Sequence, residues 1–168
     1  MDIVKLYEMQ KELDGRIIEK HGLRGQDLLP NTILALQVEL AEMINEWRGF
    51  KHWSTDQEPR RAKMVTEASD CLHFFLSIAR QLGINSDELH TYDDHIEGGT
   101  ALVLTELIWA VGKISLSNEH AYKVKAFRGA WFIFWNLLEQ RLQIYQDDLY
   151  QAYLDKNAEN HKRQSTGY

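Results

Sequence analysis

The chain has 168 residues, a formal net charge of −6 and one cysteine. This length suits one domain with a real core, so we treat residues 1–168 as a single domain. The negative charge argues against a protein that coats nucleic acid, and the lone cysteine fits a reducing compartment. There is no signal-peptide pattern, and the most apolar run, 130–138, is too short to cross a membrane. We therefore expect a cytoplasmic protein without nucleic-acid or membrane partners.

Apolar residues recur at intervals of three and four, and two prolines and ten glycines in the chain favour a mainly helical protein. The first helix is predicted at 2–21, and the second begins at a cap on Asn31 or Thr32 and ends before Gly49. Further helices are predicted at 61–82, at 100–116, from a cap at 117 or 118 to about 145, and from about 147 onward. The polar segment 86–98 reads as a connector. The fifth helix is apolar nearly all round between 127 and 138, which suits a bundle centre or a subunit interface.

Two of these helices carry pairs of acids spaced three residues apart. The second helix has Glu39 and Glu42, and the third has Glu67 and Asp70. Side chains three apart are neighbours on a helix surface, so each pair directs two carboxylates at one place. If the pairs face each other, their repulsion must be offset by a metal ion or a proton.

The helical phase separates these acids from ordinary surface charge. Glu67 and Asp70 share a face with Cys71, Phe74 and Ile78, inside the apolar stripe of the third helix. Charged groups seldom lie unpaired on a core face. The alternative to a metal site is a solvated helix face with salt bridges. It is stronger for Glu39 and Glu42, because these two acids border the apolar stripe of their helix.

The ligand types indicate which metal such a site would hold. Carboxylates without cysteine or paired histidine suit a hard cation, and Mg²⁺ commonly shares its shell with substrate phosphates. A di-iron bundle would need Glu-x-x-His on two helices. Asp70 and His73 form one half-motif of that kind and no second one accompanies the Glu39 pair, so we favour Mg²⁺.

Other polar residues suggest a ligand pocket near the acids. Gln10 falls within the apolar stripe of the first helix, with Asp14 beside it, and either makes a core hydrogen bond or contacts a ligand. The segment after the second helix contains Lys51, which could meet a phosphate, and Trp53, which could stack on a base or plug the core. In the last helix, Lys156, Asn160 and Arg163 follow a three–four spacing that suits a polyphosphate and a base, unless the segment is a solvated basic tail.

These residues resemble a known family. The motifs are L-Q-V-E-L-A-E at 36–42, F-K-H-W at 50–53, E-A-S-D-C-L-H-F-F-L-S at 67–77, and Y-x-x-K-N-x-x-N-x-x-R-Q-x-x-G-Y at 153–168. Together they are similar to the dimeric, all-α dUTP diphosphatases, a branch of the all-α nucleoside triphosphate pyrophosphatases. The acid pairs alone mark the superfamily, whereas the residues after Asp70 and the C-terminal pattern mark this branch. The resemblance implies an all-α multi-helix bundle that forms a homodimer.

The resemblance also implies an activity and roles for the site residues. The reaction is Mg²⁺-dependent hydrolysis of dUTP to dUMP and diphosphate, with attack at the β-phosphorus. The metal ligands are the four acids, with Glu39 or Glu42 orienting and deprotonating the water. The residues implied in nucleotide binding are Gln10, Asp14, Lys51, Trp53, Phe74, Lys156, Asn160, Arg163 and Tyr168. Asp14 departs from the family pattern, in which we expect an asparagine soon after Gln10.

Two alternatives remain open from the residues. The same chemistry could serve another nucleotide, such as dCTP, and the rates of diphosphate release from each dNTP would distinguish this case. The chain could also be a helical protein that binds a phage-type repressor, either as a second role or without turnover.

Overall fold

The computed structural model describes residues 1–166, and within that range the chain is helical and contains no strand. A short 3₁₀ turn at Ser86–Glu88 lies between the third and fourth helices. The α-helices are α1 (Ile3–Lys20), α2 (Leu29–Trp47), α3 (Arg61–Gln81), α4 (Thr100–Lys113), α5 (His120–Gln140) and α6 (Gln146–Thr166). This confirms the predicted all-α fold class. Within residues 1–166, no helix is both long and apolar enough to cross a bilayer.

The start of α2 differs from the prediction. The helix begins at Leu29, so neither Asn31 nor Thr32 caps it. Pro30 occupies the first turn, where its missing N–H costs nothing, and the Asp27 carboxylate accepts a hydrogen bond from the Leu29 N–H at 3.1 Å. The capping signal therefore lies upstream of the proline.

Two helix ends also differ from the prediction. Helix α4 ends at Lys113 rather than 116, and α5 ends at Gln140 rather than about 145. After α5, the backbone adopts a left-handed conformation at Gln143, with φ of 54°, which no continuing helix allows. Apolar residues persist beyond both ends because Ile114, Leu142 and Ile144 are buried in the connecting turns. Apolar periodicity alone therefore overestimates the helix lengths.

Helix α3 lies at the centre of the fold. It packs along α2, against α6 and against α1, while α4 packs between α2 and α5. On its core face, the ring of Phe75 contacts Phe127, Trp131 and Phe134 of α5 at centroid distances of 4.8–6.0 Å. Helix α5 is buried along this stretch, as its composition predicts. The aromatic cluster fixes α3, and with it the acids on the opposite side of that helix.

Replacing Phe75 with alanine should lower the free energy of unfolding by about 3–5 kcal/mol, because it removes a fully buried ring and leaves a cavity. Urea unfolding followed by circular dichroism measures this change. Leu116→Ala is the control, since that side chain is 71% exposed and its loss should cost less than about 0.5 kcal/mol. Equal costs for the two variants would contradict the central role of α3.

Candidate active site

Three of the four predicted acids converge between α2 and α3. Glu39 of α2 and Glu67 and Asp70 of α3 each place a carboxylate oxygen within 4.8 Å of the others. Asp70 is buried and the other two are half-buried. Glu42 lies outside this group and is exposed, at the border of the acidic site. The helical phase of α3 therefore predicted that Asp70 is buried, and the packing of α2 against α3 brings Glu39 next to it.

The acids raise one another's pKa values. Burial raises the pKa of Glu39 to about 7, with further contributions from the negative charges of Asp70, Glu42 and Glu67. The pKa of Glu67 is raised by burial and then by the charge of Asp70. Such shifts arise where like charges are held together without enough counter-charge. The cluster thus favours binding of a cation or a proton.

Lys156 brings a positive charge into the acidic site. Lys156 of α6 places Nζ 2.7 Å from Oδ2 of Asp70, and both side chains are largely buried. Burial raises the pKa of Asp70, and the hydrogen bond from Lys156 opposes that shift without cancelling it. Lys156 therefore offsets part of the negative charge and connects α6 to the acids.

A cavity of about 260 Å³ opens beside the acids, between α1, α3 and α6. Eight of the predicted site residues line it: Gln10, Asp14, Glu39, Asp70, Phe74, Lys156, Asn160 and Arg163. A larger surface depression of about 660 Å³ lies between α3 and α6, but it lacks Glu39 and Asp70. The smaller cavity is the candidate site because it joins Glu39 and Asp70 to Lys156 and Arg163, which the larger depression does not.

Two predicted residues, Lys51 and Trp53, lie away from the cavity. The Lys51 ammonium donates a hydrogen bond to Oδ1 of Asn45 at 2.6 Å, and Trp53 is 69% exposed, with edge contacts to Phe50 and His52. Neither Lys51 nor Trp53 lines the cavity, so their contacts with a nucleotide stay predictions. Tyr168 lies outside the described residues, as does the nucleotide contact predicted for it.

Buried hydrogen bonds hold Gln10 at the wall of the cavity. Its Oε1 accepts from the Tyr153 hydroxyl at 2.9 Å and lies 2.7 Å from Nδ1 of His73. Its Nε2 donates to Oδ1 of Asp14 at 2.7 Å, and Oδ2 of Asp14 accepts from Nε of Arg80 at 3.1 Å. The core hydrogen bonds of Gln10 to neighbouring helices are therefore present, and its contact with a ligand stays a prediction, made at a residue that lines the cavity.

His73 is a structural partner of Gln10 rather than half of a di-iron motif. Burial lowers its pKa to about 3, with a further contribution from the charge of Lys156, so the ring is neutral. The ring stacks on Tyr153 with a centroid distance of 3.9 Å. Within residues 1–166, the group of side chains able to hold a metal comprises the three acids and no histidine.

The sequence reasoning did not assign Ser77 or Arg80, although both adjoin Asp14. Both residues also line the neighbouring cavity of about 300 Å³. A signal existed, because His73, Ser77 and Arg80 are spaced by four and three residues on α3 and so form a polar stripe on one face. This stripe runs beside the acids and faces α1.

Comparison with known proteins gives one family. The family model described as dUTPase matches residues 2–168, which is almost the whole chain, whereas no curated protein matches significantly. The match agrees with the resemblance seen in the sequence motifs and with the all-helical fold. The chain therefore belongs to the dUTPase family and is a dUTP diphosphatase, an enzyme that hydrolyses dUTP.

Proposed function

We propose that this enzyme hydrolyses dUTP with Mg²⁺ held by Glu39, Glu67 and Asp70, and with Glu42 at the edge of the same site. The observation that carries this proposal is the convergence of three carboxylate oxygens within 4.8 Å on two packed helices. A set of oxygen ligands with no histidine or cysteine suits a hard divalent cation. The family match supports the reaction, and the acidic cluster supports the metal.

The pKa values of the three acids indicate whether the site would accept a cation. Lys156 is the cation that pairs with Asp70, yet the pKa values of Glu39, Glu67 and Asp70 all remain above their ordinary values. The acidic site is therefore short of positive charge. A substrate triphosphate would add negative charge, so divalent cations are needed to bridge substrate and protein.

The roles of the acids follow from this arrangement. Bound Mg²⁺ would polarise phosphoryl oxygens and supply water for the attack. Glu39 lies at the cavity wall, and we propose that it orients the attacking water and accepts its proton. Glu42 is the alternative base, but it is exposed and lies outside the converging group. Glu67 and Asp70 act as ligands from the rigid face of α3.

The basic residues of α6 would bind the phosphates. Lys156 and Arg163 line the cavity on the same side as Asn160. Lys156 pairs with Asp70 and Arg163 contacts Glu159, so both side chains would exchange a carboxylate partner for phosphate oxygens when substrate enters. The gain is a stronger positive field at the leaving diphosphate. Phe74 is placed to form an apolar wall for the base.

We also propose that the chain forms a homodimer through α2 and α4. These helices pack together, with Nε2 of Gln37 3.4 Å from the Ile108 carbonyl oxygen. Both helices leave large apolar side chains exposed by about half or more: Leu34, Val38, Leu102 and Trp109. An apolar surface of this kind is typical of an association interface.

Glu39→Gln and Asp70→Asn should each reduce turnover of dUTP below about a thousandth of the wild-type rate, because each removes a charged ligand. Chelation of divalent ions should abolish activity, and added Mg²⁺ should restore it. Diphosphate release measures activity, and calorimetric titration with Mg²⁺ and a non-hydrolysable dUTP analogue measures binding. Glu12→Gln, on the exposed surface of α1, is the control and should behave as wild type. Near-normal rates in both acid variants would refute the metal site.

The acidic cluster should make the metal-free protein less stable as pH rises. The pKa of Glu39 is about 7 in the folded state and near 4.5 in the unfolded state, so the unfolded state loses its proton first between these values. The Glu39→Gln variant should thus be more stable than wild type by about 1–2 kcal/mol at pH 7.5, a figure reduced for solvent screening, and equal at pH 4. Urea unfolding in a chelator tests this. If Glu39→Gln raised the free energy of unfolding equally at pH 7.5 and pH 4, the ionised Glu39 carboxylate would not be the cause of the instability.

Replacing Val38 or Trp109 with glutamate should convert the dimer to a monomer, because each change places a charge in the proposed apolar interface. Sedimentation equilibrium over a range of protein concentrations measures the mass in solution. Val4→Glu is the matched control, since Val4 is 52% exposed but lies on α1. A wild-type protein that remains monomeric at high concentration would refute the interface.

A further inference from the structure

The base-binding end of the cavity contains hydrogen bonds whose direction is fixed. Arg80 can only donate, and an ionised Asp14 can only accept. Gln10 must therefore turn its Nε2 toward Asp14, where the distance is 2.7 Å, and its Oε1 toward His73 and Tyr153. The rotation of the Gln10 amide, which is otherwise ambiguous, is determined by the charge pair beside it.

Asp14 is held in place by donors from α1 and α3. Gln10 bonds to one carboxylate oxygen and Arg80 bonds to the other at 3.1 Å, and Ser77 lies beside the carboxylate and helps to lower its pKa. The Asp14 and Arg80 side chains are only 14% and 21% exposed. Burial raises the pKa of Asp14, whereas the hydrogen bond from Gln10 and the charge of Arg80 oppose that rise. Arg80 thus helps to keep this half-buried carboxylate ionised.

We propose that Arg80 is a positioning residue for base selection, because it holds Asp14 and Gln10 as an adjacent acceptor and donor that match the edge of uracil. Both Gln10 and Asp14 line the substrate cavity. The Gln10 amide nitrogen has a second hydrogen, and a carboxylate has about four lone-pair positions, so each group can bind substrate while keeping its protein partners.

The polarity of this pair distinguishes the pyrimidines. Uracil presents its ring N3–H donor beside the O4 carbonyl acceptor, and in the proposed pose these pair with the Asp14 oxygen and the Gln10 N–H. On the same edge cytosine presents N3 as an acceptor beside the 4-amino donor, so both contacts would place like polarities together. A site built in this way rejects the wrong base strongly, because its buried polar groups would be left unpaired. The inference rests on the proposed binding of the nucleotide in this cavity.

Arg80 has a competing structural role that the experiment must separate. Its guanidinium lies 5.8 Å from the centroid of the Tyr7 ring, so it also helps pack α1 against α3. A purely structural Arg80 would alter the unfolding temperature without changing the relative use of dUTP and dCTP. A positioning Arg80 would change the ratio of the two kcat/KM values, mainly through KM.

The test compares steady-state kinetics on dUTP and dCTP for wild type, Arg80→Met and Arg80→Lys. Arg80→Met should lower the dUTP/dCTP ratio of kcat/KM by about tenfold or more, and Arg80→Lys should recover most of it because the charge remains. Arg128→Gln is the matched control, since Arg128 pairs with Glu88 on the surface and lines neither cavity. That variant should retain the wild-type ratio.

Asp14→Leu gives a second test that does not depend on Arg80→Met folding well. The leucine side chain cannot accept a hydrogen bond from the uracil ring N–H, so the dUTP/dCTP ratio of kcat/KM should fall by about tenfold or more. An unchanged ratio in folded Asp14→Leu or folded Arg80→Met would overturn the proposal, as would a wild-type enzyme that uses both nucleotides equally. Absence of dUTP hydrolysis in the wild type would instead refute the proposed function itself.

Discussion

The structure depends on the close approach of like charges between α2 and α3. Glu39, Glu67 and Asp70 lie together where the two helices pack. Burial raises the pKa of each acid, and the charges of neighbouring acids add to that rise at Glu39 and Glu67. The apolar contacts of the same helices must outweigh that repulsion in the absence of a cation. The fold therefore holds a strained arrangement that a divalent ion and a polyphosphate would stabilise.

Helix α6 links this acidic site to the rest of the molecule. Its Lys156 reaches Asp70, and its Tyr153 is fully buried against α1 and α3. The buried tyrosine anchors the helix, and Lys156 and Arg163, which follow it, line the cavity. One helix thus provides both packing that positions the site and part of the positive charge that offsets its acids.

The proposed base recognition would use the same hydrogen bonds that stabilise the α1 side of the fold. Buried polar groups need partners, and the bonds among Arg80, Asp14, Gln10, His73 and Tyr153 meet that need across three helices. Because Arg80 can only donate and Asp14 accepts from it, each hydrogen bond in the series that runs from this pair to the neutral His73 ring has one favourable donor and one favourable acceptor. The hydrogen bonds that satisfy the buried groups therefore also set which donors and acceptors Gln10 and Asp14 present at the cavity wall.

The sequence by itself determined the helical class, the acid pairs and the family, because helical periodicity and short motifs are local properties. It identified Asp70 as a core-facing acid and the polar face of the last helix, whose α-helical form extends to Thr166. It could not determine which acids converge, since Glu42 has the same spacing as its partner but lies at the exposed border. Nor could it pair Arg80 with Asp14, because the polar stripe on α3 meets that carboxylate only where α1 packs against α3. Those choices were made by the tertiary structure, because charges interact through distances that only helix packing sets.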